Sequence, residues 1–147
     1  MFKSFAISFI SKIMLHSYMG RNKLILSGTI VRGLGEGTYF MSMKHYKNEI
    51  RKKLGFDAYP GTLNLRVSIN KINLFKKINP IKIDGFKNNN KIFGAASCYK
   101  AKIQGISGSI IIPELTKHKN IIEFIAPIHL KSELTLKDRE RVKIELL

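Results

Sequence analysis

Residues 59–69 read YPGTLNLRVSI, a Pro-Gly turn followed by strict alternation. Leu63, Leu65, Val67 and Ile69 fall on one side, and Thr62, Asn64, Arg66 and Ser68 on the other. That two-residue period belongs to a strand with one buried face. Such a strand needs partners, and the chain supplies them on both sides. Upstream, KLILSGTIVR (23–32) is apolar and β-branched; downstream, IFGAASCYKAKI (92–103), SIIIP (109–113), NIIEFIAP (120–127) and the alternating RVKIELL (141–147) repeat the strand signature. KNNNK (87–91) reads as a hairpin tip and GISG (105–108) as a tight turn, while the Lys/Asn-rich residues 70–90 read as loop. One helix stands out. Met43, Tyr46, Ile50 and Leu54 recur at three and four residues, and Gly55 occupies the C-terminal cap position. Roughly six short strands with one main helix and short extras imply a mostly β, small single-domain barrel.

Composition bounds the rest. The chain has 147 residues, 44% of them hydrophobic, enough for one core without disulfides. Its single cysteine, Cys98, excludes an internal disulfide framework and a cysteine-based zinc site. No run of about 18 uncharged apolar residues exists, so no transmembrane helix is expected. The net charge of +16 admits two readings. A dense positive surface collects polyanions. Alternatively, 20 Lys against 6 Arg, with abundant Ile and Asn, is the vocabulary of an AT-rich genome, and the cations are scattered rather than gathered in one stripe. Residues 1–22 carry no acid and form a distinct leader before a domain spanning 23–147. Phe2, Phe5 and Phe9 could line a short helix, or the leader could be disordered.

Three clusters carry chemistry. VRGLGEGTYF (31–40) sets three glycines at alternate positions directly after a strand, where backbone amides can approach an anion that side chains would keep away. The spacing is not that of a dinucleotide fingerprint, and no Lys-Ser/Thr follows as a P-loop requires. A strained hairpin turn would read the same way. In PGTLN, Thr62 and Asn64 lie two apart and project their oxygens from one face. Mg²⁺ accepts one or two protein ligands when phosphates supply the rest. An ordinary polar strand face fits the spacing equally. Glu123 is the only ionisable residue in NIIEFIAP. Buried, it would be a base or a ligand anchor; turned outward, a solvated surface group. Thr116 and His118 occupy the preceding loop, where a lone histidine is ordinarily a surface residue.

GLGEGTYF (33–40), LGFDAYPGTLNL (54–65) and IIEFIAP (121–127) followed by HLK (129–131), in this order and at these separations, resemble the archaeal CTP-dependent riboflavin kinases. The resemblance covers roughly residues 24–146. It implies a cradle-loop β-barrel, a cytoplasmic monomer, that phosphorylates riboflavin to FMN with CTP. It implies further that Leu34, Gly35, Glu36, Gly37, Thr38 and Tyr39 wrap the nucleotide, with Ile128, His129, Leu130 and Lys131 completing the pocket. Thr62 and Asn64 would bind one Mg²⁺ bridging the nucleotide phosphates. Thr116 and Glu123 would contact the flavin, and Glu123 would serve as the catalytic base. Two departures stand out. Lys131 replaces the arginine common in the family, a point charge for a planar fork. The usual Asp-Gly-Asp turn appears as KDRE (137–140), without its glycine.

The rival reading is a small basic β-barrel that binds nucleic acid. It requires basic residues interleaved with exposed aromatics on one face. Instead Tyr39, Phe40, Tyr46, Phe56 and Tyr59 are expected to gather around the glycine loop and the PGTLN turn, which suits a flavin or pyrimidine pocket better. The partners expected are therefore small molecules, without nucleic acid and without a membrane span.

Overall fold

A computed structural model describes residues 24–33, 36–116 and 119–147, with Glu36 described by its backbone alone. The two readings of the leader fall on residues outside this range. In chain order the elements are β1 (Ile25–Val31), α1 (Glu36–Met41), α2 (Lys44–Leu54), β2 (Leu63–Arg66), α3 (Ile69–Phe75), β3 (Ile81–Ile83), β4 (Phe86–Asn88), β5 (Lys91–Phe93), β6 (Ala96–Ile103), β7 (Ile106–Pro113), β8 (Ile121–Ile125), α4 (Leu130–Glu133) and β9 (Arg141–Leu146).

Alternation builds the barrel. Leu26 and Ile30 of β1, Leu63 and Leu65 of β2, Ile122 and Phe124 of β8, and Val142 and Ile144 of β9 all turn inward into one apolar core. The strands run antiparallel in the order β6-β7-β8-β2-β1-β9, and β9 pairs with β6 as well as with β1, closing six strands into a barrel. Closure removes the open edges that a flat sheet would leave. β3 lies outside, paired to the first half of β6 (Ile81↔Cys98), and β4–β5 form a separate hairpin. Asn89 and Asn90 both take positive φ at its tip, 49° and 64°, the two-residue turn whose twist matches the strands it joins.

A second core lies on the outer face of the barrel. Tyr46, Ile50 and Leu54 of α2 pack on Ile83, Cys98, Ile111 and Ile125, with Met43 alongside. This is the helical stripe expected from sequence, and Gly55 caps it at φ 83° with its amide bonded to the carbonyls of Ile50 and Arg51. β6 and β7 are thus covered on both faces where α2 lies over them. Cys98 is fully buried there, and loss of solvent pushes its thiol up to about 12, which leaves it an inert packing residue.

Three expectations are corrected. Ile69, read on the inward face of the alternating strand, is exposed at the start of α3, since β2 ends at Arg66. Residues 70–90, read as loop, hold the rest of α3, whose Ile72 and Phe75 seal one end of the barrel core, and also β3. Phe75 is fully buried and meets Tyr99 edge-on at 5.0 Å. The tight turn read at GISG sits one step earlier, at Gln104 and Gly105 (φ 47° and 81°), and Gly108 lies inside β7. Among the described residues, no helix is long and apolar enough to cross a membrane.

Candidate active site

Pairing across the barrel decides what the outer face presents. Asn64 of β2 stands opposite Val31 of β1 on one side and Glu123 of β8 on the other. Because Leu63, Leu65, Ile122 and Phe124 point inward, Thr62, Asn64 and Glu123 share the outward face, all half-buried. Thr62 Oγ1 donates a hydrogen bond to Glu123 Oε1 at 2.8 Å. Glu123 is therefore neither sunk in the core nor a freely solvated surface group: it sits on the outer face, held by its neighbour and partly roofed.

The roof is the glycine segment. Gly33, just after β1, lies on Asn64, and Gly37, in the first turn of α1, lies on Thr62. Gly33 lies so close to Asn64 that a Cβ there would strike the side-chain amide. A Cβ on Gly37 would strike Thr62 Oγ1 and stand 3.1 Å from Glu123 Oε1. Both positions demand glycine for close approach rather than for backbone angle. Two of the three sequence clusters are thus stacked directly on one another, and the Glu123 strand completes the arrangement.

Beside this cradle opens a cleft of about 250 Å³, lined by Thr38, Tyr59, Thr62, Ile128, His129 and Lys131 among others. The Tyr59 amide donates to the Ala126 carbonyl at 2.8 Å, which carries the Pro60-Gly61 turn against the end of β8. The Tyr59 ring lies against His129 with centroids 4.9 Å apart. His129 precedes α4, and its ring is hydrogen-bonded to Ser132. Lys131 Nζ donates to Asp138 Oδ1 at 2.6 Å. That hydrogen bond, reinforced by the charge, holds the Asp138 carboxyl below its ordinary value.

Of the residues singled out from sequence, Thr38, Thr62 and Ile128–Lys131 meet at the cleft, and Asn64 and Glu123 adjoin it through Thr62. Leu34 and Gly35 lie outside the described residues, as does His118. Tyr39 is 56% exposed and rests on Phe40 rather than lining the cleft. Thr116 is exposed in the loop between β7 and β8, its amide bonded to the Pro113 carbonyl. The expected gathering of aromatics is corrected. Tyr59 alone of that set lines the cleft, whereas Tyr46 is buried with its hydroxyl on the Gly94 carbonyl at 2.7 Å, and Phe40 packs on Tyr46 and Phe93. Those rings belong to the second core because they fasten α1 and α2 to the β4–β5 hairpin. Asp138 escaped sequence reasoning, since nothing in KDRE announces a partner for a lysine seven residues away.

KDRE shows where the missing glycine matters. Arg139 takes φ 73°, and its amide reaches back to the Ile30 carbonyl at 2.8 Å, so the left-handed position is fixed by the barrel. A side chain there costs about 1 kcal/mol or more. Arg139→Gly is expected to raise the melting temperature by about 2–4 °C in a calorimetric scan.

The donor set suits a hard divalent cation. Thr62 and Asn64 offer neutral oxygens on one face with the Glu123 carboxylate alongside, directly beneath Gly33 and Gly37. Among the described residues no group of three His, Cys, Asp or Glu could hold a metal ion.

Comparison with known proteins shows the family. The family model CTP-dep_RFKase, described as a domain of unknown function, DUF120, matches residues 30–146. The chain is 42% identical over 123 residues to a riboflavin kinase of Methanocella arvoryzae, covering 83% of this chain and 56% of the relative. It is 42% identical over 126 residues to one of Pyrobaculum islandicum (82% and 59%), and 38% identical over 126 residues to one of Archaeoglobus fulgidus (83% and 54%). The chain thus spans a little over half the length of these curated relatives.

Proposed function

This chain belongs to the CTP-dependent riboflavin kinase family, and on that premise we propose that it transfers the γ-phosphate of CTP to the 5′-hydroxyl of riboflavin, giving FMN and CDP. The observation that carries the reading is the fit of Gly33 and Gly37 onto Asn64, Thr62 and Glu123. It brings the glycine backbone, two neutral side-chain oxygens and one carboxylate together at one place beside the cleft.

Phosphoryl transfer asks for positioning and charge stabilisation more than for covalent chemistry, so a small barrel without a P-loop suffices. The glycine amides lie against the triphosphate and offset the charge that develops as the γ-phosphoryl group moves. Thr38 and Ile128–Lys131 hold the cytidine in the cleft, with the Tyr59 ring at its edge. The choice of CTP comes from the family. Thr62 and Asn64 would hold Mg²⁺, which when bound neutralises phosphate charge. Glu123 accepts the proton of the attacking hydroxyl, and its hydrogen bond from Thr62 fixes which way the carboxylate faces. Thr116 adds a flavin contact from the loop before β8.

The test is Glu123→Gln, which keeps the shape and removes the base. FMN formation from riboflavin and CTP should fall by about 10²-fold while riboflavin binding, followed by flavin fluorescence, is retained. Loss of binding together with turnover would reassign Glu123 as a flavin anchor. Unchanged turnover would remove it from the reaction.

A further inference from the structure

The outer face of the barrel carries a second polar surface that the proposed kinase reaction does not use. Thr29 of β1 stands opposite Arg66 of β2 on one side and opposite Arg141 of β9 on the other. The three residues form one row across three neighbouring strands, all directed away from the core, with both arginines exposed. The row floors an open groove of about 430 Å³ whose walls add Ser27, Ser68 and Asn120. No carboxylate lines it among the described residues, and neither guanidinium is paired with one. Arg51, by contrast, is paired with Asp57, and Arg32 and Arg139 lie near Asp138. Glu140 and Glu145, the acids closest along β9, are outside the groove lining.

From this row we propose a binding site for a tetrahedral oxyanion, a phosphoryl group, seated over the Thr29 hydroxyl between Arg66 and Arg141. Strands lie about 4.8 Å apart, so the two arginine Cα atoms flank Thr29 at about 10 Å separation. Two long side chains close that gap from opposite sides and each presents a donor fork to the anion. Like charges held on one face without an acid repel each other, and an anion between them relieves the repulsion. Ser27, Ser68 and Asn120 supply neutral donors for the remaining oxygens. The groove shares no lining residue with the cleft beside Thr62, and Arg66 stands two residues beyond Asn64 on the same face of β2, so the site proposed is a neighbour of the nucleotide site and distinct from it.

Inorganic phosphate, titrated into the ¹⁵N-labelled full chain with EDTA present, tests the site. Saturable shifts at the Thr29, Arg66 and Arg141 amides are expected, weakened about tenfold or more in Arg66→Gln/Arg141→Gln. Lys47→Gln/Lys52→Gln, which removes the same charge from α2, should leave the shifts unchanged. A parallel titration with a short oligothymidylate separates a free phosphoryl group from a nucleic-acid backbone as the source. Shifts confined to Gly33 and Gly37, equal weakening in both double variants, or response to the oligonucleotide alone would each overturn the proposal.

Discussion

Gly37→Ala is expected to lower FMN formation by about 10³-fold while the protein stays folded. The added Cβ has nowhere to go but onto Thr62 Oγ1, with Glu123 Oε1 only 3.1 Å away. Either Gly37 lifts off Thr62 or the Thr62–Glu123 hydrogen bond breaks, and both outcomes move the proposed catalytic groups. Stability should change little, because the segment lies on the outer face and the barrel core does not touch it. Gly55→Ala is the matching control. Its φ of 83° strains an added side chain, yet nothing lies within 4 Å of the new Cβ. About 1 kcal/mol of stability should be lost with no change in rate. Steady-state FMN production and thermal melts on the two variants check both statements. Full activity in Gly37→Ala would mean the segment does not approach the reacting groups.

Thr62→Ala and Asn64→Ala should each reduce turnover by about 10³-fold, because each removes one of two neutral oxygens offered to the cation on this face. Thr62→Ala also strips Glu123 of its 2.8 Å hydrogen bond, so it tests two roles at once. Thr62→Ser separates them, since it keeps the hydroxyl. Near-normal turnover in the serine variant beside a dead alanine variant is the expected pattern. Raising the Mg²⁺ concentration should partly restore Asn64→Ala, which a purely structural defect would not allow. Wild-type rates in either alanine variant would remove the pair from metal binding.

The barrel was legible in the sequence because period-two alternation is a local signal that β1, β2 and β9 carry, while β6 and β7, covered on both faces, read as apolar β-branched runs. Leu63 and Leu65 against Thr62 and Asn64 already state which side of β2 is core. The α2 stripe was legible for the same reason at helical period. What alternation lacks is information about the partner. It did not reveal that Asn64 faces Glu123 or that Thr62 bonds to it, because those contacts join residues about sixty positions apart. That Gly33 and Gly37 lie on Asn64 and Thr62 was not legible either, since a hairpin and a cradle have the same composition. α3 was missed because INKINLF spends its apolar residues on a short helix end, which local pattern cannot tell from loop. The aromatics were misplaced for a related reason. Closeness in sequence to the glycine loop put Phe40 and Tyr46 near it, but helical geometry turns them to the second core.

The proposed reaction makes FMN from riboflavin at the expense of CTP. Purified protein incubated with riboflavin and Mg²⁺, supplied with either CTP or ATP and resolved by chromatography, measures it directly. FMN is expected to accumulate with CTP, matched one for one by CDP, with little or none from ATP. No FMN with CTP, whatever ATP gives, would contradict it.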